Sequence, residues 1–194
     1  MFMRLILVVL ALCGGVASAE VAAVAPDPAM AALAQAMPAK RLKALRAAPE
    51  GYLADAARLI YATGLDGKID AAGIETYIAV RRADLRAQSM ALFLRADLNN
   101  DGAIGTDEAR LYAATLAARG RADLRWGFDL ADADVDGSVS PAELRSHADL
   151  TVMKALDETD AAGLRSLMLF DLDGDGTVTM DEVVGAVASL AEAG

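Results

Sequence analysis

Three twelve-residue windows carry oxygen-bearing side chains at identical offsets. Asp97, Asn99, Asp101 and Glu108 occupy positions 1, 3, 5 and 12 of one window. Asp132, Asp134, Asp136 and Glu143 do so in the next, and Asp171, Asp173, Asp175 and Glu182 in the last. Each window has glycine at position 6 (Gly102, Gly137, Gly176) and Ile or Val at position 8. The chemistry open to such a set is chelation of a hard cation. Calcium takes six to eight oxygens, and a loop of this length supplies them from positions 1, 3, 5, 7, 9 and 12, with glycine permitting the bend and a glutamate closing the sphere with both oxygens. Position 7 offers its carbonyl, here on Ala103, Ser138 and Thr177. Position 9 works through water beside Ser140 or Thr179, whereas Gly105 leaves that water without a side-chain partner. All three windows satisfy D-x-[DN]-x-[DN]-G-x5-E at every specified position.

A fourth copy lies upstream. The string of an acidic residue, Gly, any residue and Ile or Val occurs at Asp66, Asp101, Asp136 and Asp175, which places loop starts at 62, 97, 132 and 171. The first loop has Ala62, Gly64 and Gly73 where ligands 1, 3 and 12 belong, so no calcium is expected there. Sliding its register to use Glu75 fails, because Ile69 and Glu75 are six apart where the intact loops show four.

Such loops need helices to hold them, and 23 to 27 residues separate consecutive loops, room for an exiting helix, a turn and an entering helix. Apolar residues recur at helical spacing on both sides: Leu85, Leu92 and Phe93; Tyr112 and Leu116; Leu144; Leu164, Leu167 and Phe170; Val183, Val187 and Leu190. Ser140-Pro141-Ala142-Glu143 and Thr179-Met180-Asp181-Glu182 also read as helix starts, with a hydroxyl at the N-cap and Glu three residues on. Metal closure and helix initiation thus share residues. The predicted fold is all-α: four helix–loop–helix units in two paired lobes, 50–119 and 120–194, with short β bridges between paired loops. Pairing through position 8 sets Ile69 against Ile104 and Val139 against Val178.

Composition narrows the partners. The net charge is −10 and the pI about 4.5, which argues against nucleic acid and anionic membranes. Met1 to Arg4, the apolar run Leu5 to Leu12 and Ala17-Ser18-Ala19 form a three-part secretory signal, with cleavage expected after Ala19 and a periplasmic or secreted product. Leu12 disfavours lipid attachment at Cys13. The mature chain then has no cysteine and no transmembrane segment, and its 17 basic against 28 acidic residues give −11. Eleven carboxylates among the ligands account for that excess, and three calcium ions would bring it to −5. Residues 20–49 hold Pro26, Pro28, Pro38 and Pro49 and read as a tether followed by a short helical piece. Lys40, Arg41, Lys43 and Arg46 within it read as a solvated helix face, with docking to an acidic partner or to the protein's own acidic body as the alternative.

From about residue 50 the chain resembles the EF-hand superfamily, with four hands like calmodulin and its bacterial relatives. The resemblance implies calcium binding at loops two, three and four. Departures are informative. The mature chain has only six methionines, two of them (Met30 and Met37) before the first hand, and alanine at many helix positions implies a shallower groove than calmodulin's. Lanthanide-binding relatives typically carry Pro at loop position 2, where this chain has Leu98, Ala133 or Leu172. Two functions are in view: an exported calcium buffer or calcium-stabilised binding module, and a sensor exposing an apolar groove to an exported or envelope protein. No Ser/His/Asp set, phosphate loop or Cys/His cluster accompanies the lone His147, so catalysis is not expected.

Overall fold

The computed structural model describes residues 28–192; the expected signal sequence, the cleavage expected after Ala19 and Pro26 lie outside them. The chain runs α1 (Pro28–Ala36), α2 (Ala39–Ala47), α3 (Pro49–Thr63), β1 (Lys68–Asp70), α4 (Ala71–Leu94), β2 (Ile104–Gly105), α5 (Thr106–Thr115), α6 (Ala118–Ala131), β3 (Ser138–Val139), α7 (Pro141–Ala155), α8 (Glu158–Arg165), a 3-10 turn (Ser166–Phe170), β4 (Thr177–Thr179) and α9 (Met180–Glu192). This is the expected all-α fold with two short antiparallel strand pairs. Prolines open helices rather than interrupt them: Pro49 and Pro141 stand in the first turns of α3 and α7, where a missing N–H costs nothing.

The pairing of the loops differs from expectation. β1 pairs with β4, so that Ile69 faces Val178, and β2 pairs with β3, so that Ile104 faces Val139. The units are therefore nested, with two and three as an inner pair and one and four as an outer pair, in place of consecutive lobes at 50–119 and 120–194. The reason lies in α4. The expected turn between the first two units is absent, and 24 residues form one unbroken helix, about 36 Å long at 1.5 Å per residue. That rod carries the second loop away from the first. By contrast α5 and α6 are joined by only Leu116 and Ala117, which folds the third loop back onto the second.

Two apolar cores follow. The larger unites Ile60, Ile69, Ile74, Ile78, Phe170 and Val187 of the outer pair. The smaller joins Phe93, Ala96, Ile104, Phe128, Val139 and Leu144 of the inner pair. α4 contributes Ile74 and Ile78 to one and Phe93 to the other. A stripe along the same helix, Glu75, Arg82, Arg86 and Ser89, meets α7 and α8. Arg165 bridges Glu75 and Glu158, Arg82 reaches Glu158 at 3.4 Å, and Arg86 reaches Asp149 at 2.8 Å.

Within the N-terminal segment the described residues form two short helices, α1 and α2, both packed against α9, in place of the one short helical piece expected; residues 20–27 of the expected tether lie outside the described residues. Leu33 of α1, Met37 just beyond its end and Leu45 of α2 are buried in the larger core, Leu45 completely. Of its basic residues, Lys40 reaches Asp160 at 3.4 Å, while Lys43 and Arg46 stay exposed. Arg41 lies so close over Gly163 that a Cβ there would stand 2.7 Å from its Nε. The basic stretch thus docks in part on the protein's own body.

Candidate metal centres

In each intact loop the backbone wraps around its own carboxylates before any ion is considered. In the third loop, Asp132 accepts hydrogen bonds from the amides of Asp136 (3.1 Å) and Gly137 (3.0 Å), and Asp136 accepts from Ser138 N–H at 2.8 Å. Glu143 reaches back across the loop: Oε1 accepts from Ala133 N–H at 2.8 Å, and Oε2 from the Ser140 amide and hydroxyl at 2.9 and 2.8 Å. Ser140 Oγ in turn accepts from Glu143 N–H at 3.3 Å, completing the capping box read from the sequence. The fourth loop repeats the scheme. Gly176 N–H donates to Asp171 at 3.1 Å, Asp175 N–H to Asp173 at 3.1 Å, and the Thr179 amide and hydroxyl to Glu182, each at 2.8 Å. In the second loop Gly102 N–H donates to Asp97 at 3.0 Å, Asp101 N–H to Asn99 at 2.8 Å, and Ala103 N–H to Asp101 at 2.9 Å. Glu108 there accepts from Leu98, Asn99 and Gly105, with no hydroxyl at the cap.

The carboxylates converge. Ligand oxygens of Asp132, Asp134 and Asp136 lie within 4.8 Å of one another, as do those of Asp171, Asp173 and Asp175. Asn99 replaces one acid in the second loop and completes a neutral–acidic mixture there. Asp171 Oδ1 is buried with no hydrogen-bond partner, a costly state for a carboxylate oxygen and one that a cation in the loop would relieve. The donor set fits calcium: all oxygen, three or four carboxylates per loop, carbonyls at position 7. Electrostatics agree. Hydrogen bonds from Gly105, then Asn99 and Leu98, hold Glu108 below the usual carboxylate range, and Ser140 does the same for Glu143. In Glu182 burial pushes upward, but donors from Thr179, Leu172 and Asp173 prevail and the net direction is down. Asp175 is lowered to about 2 by the Thr177 hydroxyl and by Lys68. The closing acids are thus charged and ready for a cation.

The first unit is built otherwise. α3 runs through Ala62 and Thr63, loop positions 1 and 2, and Leu65 to Lys68 close a tight hairpin with N–O distances of 2.9 and 3.0 Å. Asp66 (φ 52°) and Gly67 (φ 77°) are both left-handed, the Asp-Gly pairing that such a two-residue turn requires. Gly64 allows the close approach, since a Cβ there would sit 2.3 Å from the carbonyl oxygens of Ile60 and Lys68. Asp70 caps α4 by accepting from Gly73 N–H at 2.7 Å, and Glu75 is engaged by Arg165. A count of ligands does not reveal that the loop itself has become a turn; the Asp-Gly pair directly after Gly-Leu is the visible signal.

The EF-hand family model matches residues 90–108, 127–146 and 164–184. These three segments are similar to EF-hands. They are the ones with complete ligand sets. The chain is also similar to the calcineurin B type 2 protein of Bos taurus, a subunit by its name, at 31% identity over 98 residues, 48% of this chain and 58% of the relative. The chain thus spans little more than half the length of that curated relative. No solved structure matches it. His147, the lone histidine, packs edge-on against Phe93 with ring centroids 5.6 Å apart, linking α7 to α4. No described helix is long and apolar enough to cross a membrane.

Proposed function

We propose that this EF-hand protein holds three calcium ions and uses them to stabilise a nested helical module, acting as an exported calcium buffer or calcium-dependent binding module. The single observation that carries the reading is the convergence of three carboxylates in each of the third and fourth loops, with Asp171 Oδ1 buried and unpartnered in the fourth. Asp97, Asn99, Asp101, the Ala103 carbonyl and Glu108 hold the first ion. Asp132, Asp134, Asp136, the Ser138 carbonyl and Glu143 hold the second, with Ser140 beside the bridging water. Asp171, Asp173, Asp175, the Thr177 carbonyl and Glu182 hold the third, with Thr179 in the corresponding place. The hairpin of the first unit takes none.

A module reading gains support from the two N-terminal helices. α1, α2 and the bend between them lay Leu33, Met37 and Leu45 into the outer pair's core, so the apolar surface that a sensor would open there is already occupied by the chain itself. The inner pair favours the second reading, a sensor or a component of a larger assembly. A cleft of about 410 Å³ lined by Ala109, Leu124 and Phe128 opens beside its loops, and Trp126, Leu111 and Leu130 are exposed nearby. The bovine relative carries a subunit's name. Export through the N-terminal signal is part of the proposal, and calcium outside the cytoplasm would keep these sites filled.

Calorimetric calcium titration of the metal-free chain tests the first reading: three equivalents are expected, and Glu143→Gln and Glu182→Gln should each remove one. Four equivalents would refute the silent first unit, and none would refute calcium binding. A large calcium-dependent rise in hydrophobic-dye binding would favour the sensor.

A further inference from the structure

The third and fourth loops have the same acids at positions 1, 3, 5 and 12. Their partners differ. The register Lys68↔Thr179 seats position 7 of the silent unit beside position 9 of the fourth loop. From there Lys68 Nζ reaches Asp175 Oδ2 at 3.1 Å. The other oxygen of Asp175 accepts from the Thr177 amide and hydroxyl at 2.8 and 2.6 Å, so both oxygens of this ligand are engaged. In the inner pair, position 7 facing the third loop is Ala103, with no charge. Among the described residues, every other salt bridge avoids the ligand carboxylates: they join residues such as Lys40 and Asp160, Arg86 and Asp149, or Arg165 and Glu75.

We infer that Lys68 sets the calcium affinity of the fourth site: the unit that lost its own ligands supplies a resident cation that calcium must displace or tolerate, so the fourth site fills after the third. This rests on the three-site reading above. It also gives the silent hand a task beyond pairing. A divalent ion bound among Asp171, Asp173 and Asp175 meets a positive charge already held by one of its own ligands. At that separation in a largely aqueous setting, the repulsion should weaken binding by about three- to tenfold, and salt should reduce the effect. An exposed salt bridge that swings aside would contribute nothing, and this is the outcome to be excluded.

The test uses the full chain with calcium alone and follows the Gly102, Gly137 and Gly176 amide resonances. Each of these amides donates to the position-1 carboxylate of its loop, and so reports its own site. Four proteins are compared: the unaltered chain, Lys68→Met, Lys68→Arg, and Lys40→Met, which removes the same charge at a distance from the loops. The Gly176 midpoint should move to about three- to tenfold lower calcium in Lys68→Met, stay near its original value in Lys68→Arg, and leave Gly137 unmoved. The shift should shrink as salt rises from about 0.05 to about 0.5 M. Equal Gly176 midpoints in Lys68→Met and Lys40→Met would overturn the inference, as would an equal shift at Gly137. A Gly176 amide that calcium moves in none of the four proteins would remove the fourth site itself, and the inference with it.

Discussion

Position 4 of each intact loop adopts a left-handed backbone, and the three residues found there tolerate it unequally. Gly174 (φ 74°) does so freely and Asn100 (φ 61°) acceptably, but Val135 (φ 60°) is β-branched, which this region disfavours most. Val135 is also 83% exposed, so its side chain returns almost nothing by packing. Val135→Gly should therefore stabilise the metal-free protein by roughly 0.5–1 kcal/mol, the relief of left-handed strain less glycine's extra chain entropy. Urea unfolding checks it: the midpoint rises at unchanged slope, and a lower midpoint would mean that Val135 makes a contact worth more than its strain. His147 gives a second residue-scale prediction. Burial against Phe93, and then Lys154, lower its pKa below 6.5, so the folded chain prefers the neutral ring. The unfolded chain takes up the proton first as pH falls. Stability from this group is thus complete above pH 6.5 and is lost as pH drops through the folded value. Imidazole titration by NMR should show the lowered midpoint, and the loss of urea resistance below pH 6.5 in the calcium-loaded protein should be smaller in His147→Gln.

Among the elements, the N-terminal helix pair α1 and α2 shows how an unremarkable stretch of sequence becomes structural. Leu45 of α2 is fully buried in the outer core, so Leu45→Ala should cost about 2–5 kcal/mol, whereas Ala44→Ser on the exposed face should cost little. The first variant should also raise dye binding, because it loosens the lid over the outer pair; unchanged dye binding would show that α1 alone covers it. The loops are legible from sequence because ligand chemistry is local: twelve residues contain all the oxygens, and Ser140 and Thr179 announce their helix starts. The packing of α1 and α2 is not, because Ala- and Pro-rich composition says nothing of what a helix packs against. The pairing is not legible from spacing either, although its cause stands in the sequence. Between Ile74 and Ala96 there is neither Gly nor Pro to break a helix, and spacing alone suggests a turn where α4 runs on. The first unit is half legible: its missing ligands are plain, while its collapse to an Asp-Gly turn depends on α3 extending through Thr63 and on backbone contacts at Gly64.

At the scale of the molecule, nesting decides which sites communicate. α4 holds the first unit and the second loop about 36 Å apart along one helix, so they share a rod but no core. The first unit instead shares strands and side chains with the fourth loop: Ile69, 1% exposed, faces Val178 at position 8, in the same core as Phe170 and Val183. Ordering of the fourth loop by calcium should therefore be coupled to the packing of a unit more than a hundred residues upstream, while the second and third loops stay coupled to each other through Ile104 and Val139. Ile69→Val removes one methylene from that contact, at a cost of about 0.5–1.5 kcal/mol to the outer pair. In a calcium titration resolved by site, the Gly176 midpoint should move to higher calcium in this variant, while Gly102 and Gly137 keep theirs. The mirror substitution, Ile104→Val, should disturb Gly102 and Gly137 and spare Gly176. Consecutive lobes require the opposite for the first variant, with Gly102 moving and Gly176 still. The two results cannot be confused, because sites more than about 10 Å apart without shared partners respond independently to such small changes. A shift of all three amides in either variant would mean that the polar stripe of α4, from Glu75 to Ser89, transmits strain between the cores and makes them one cooperative unit.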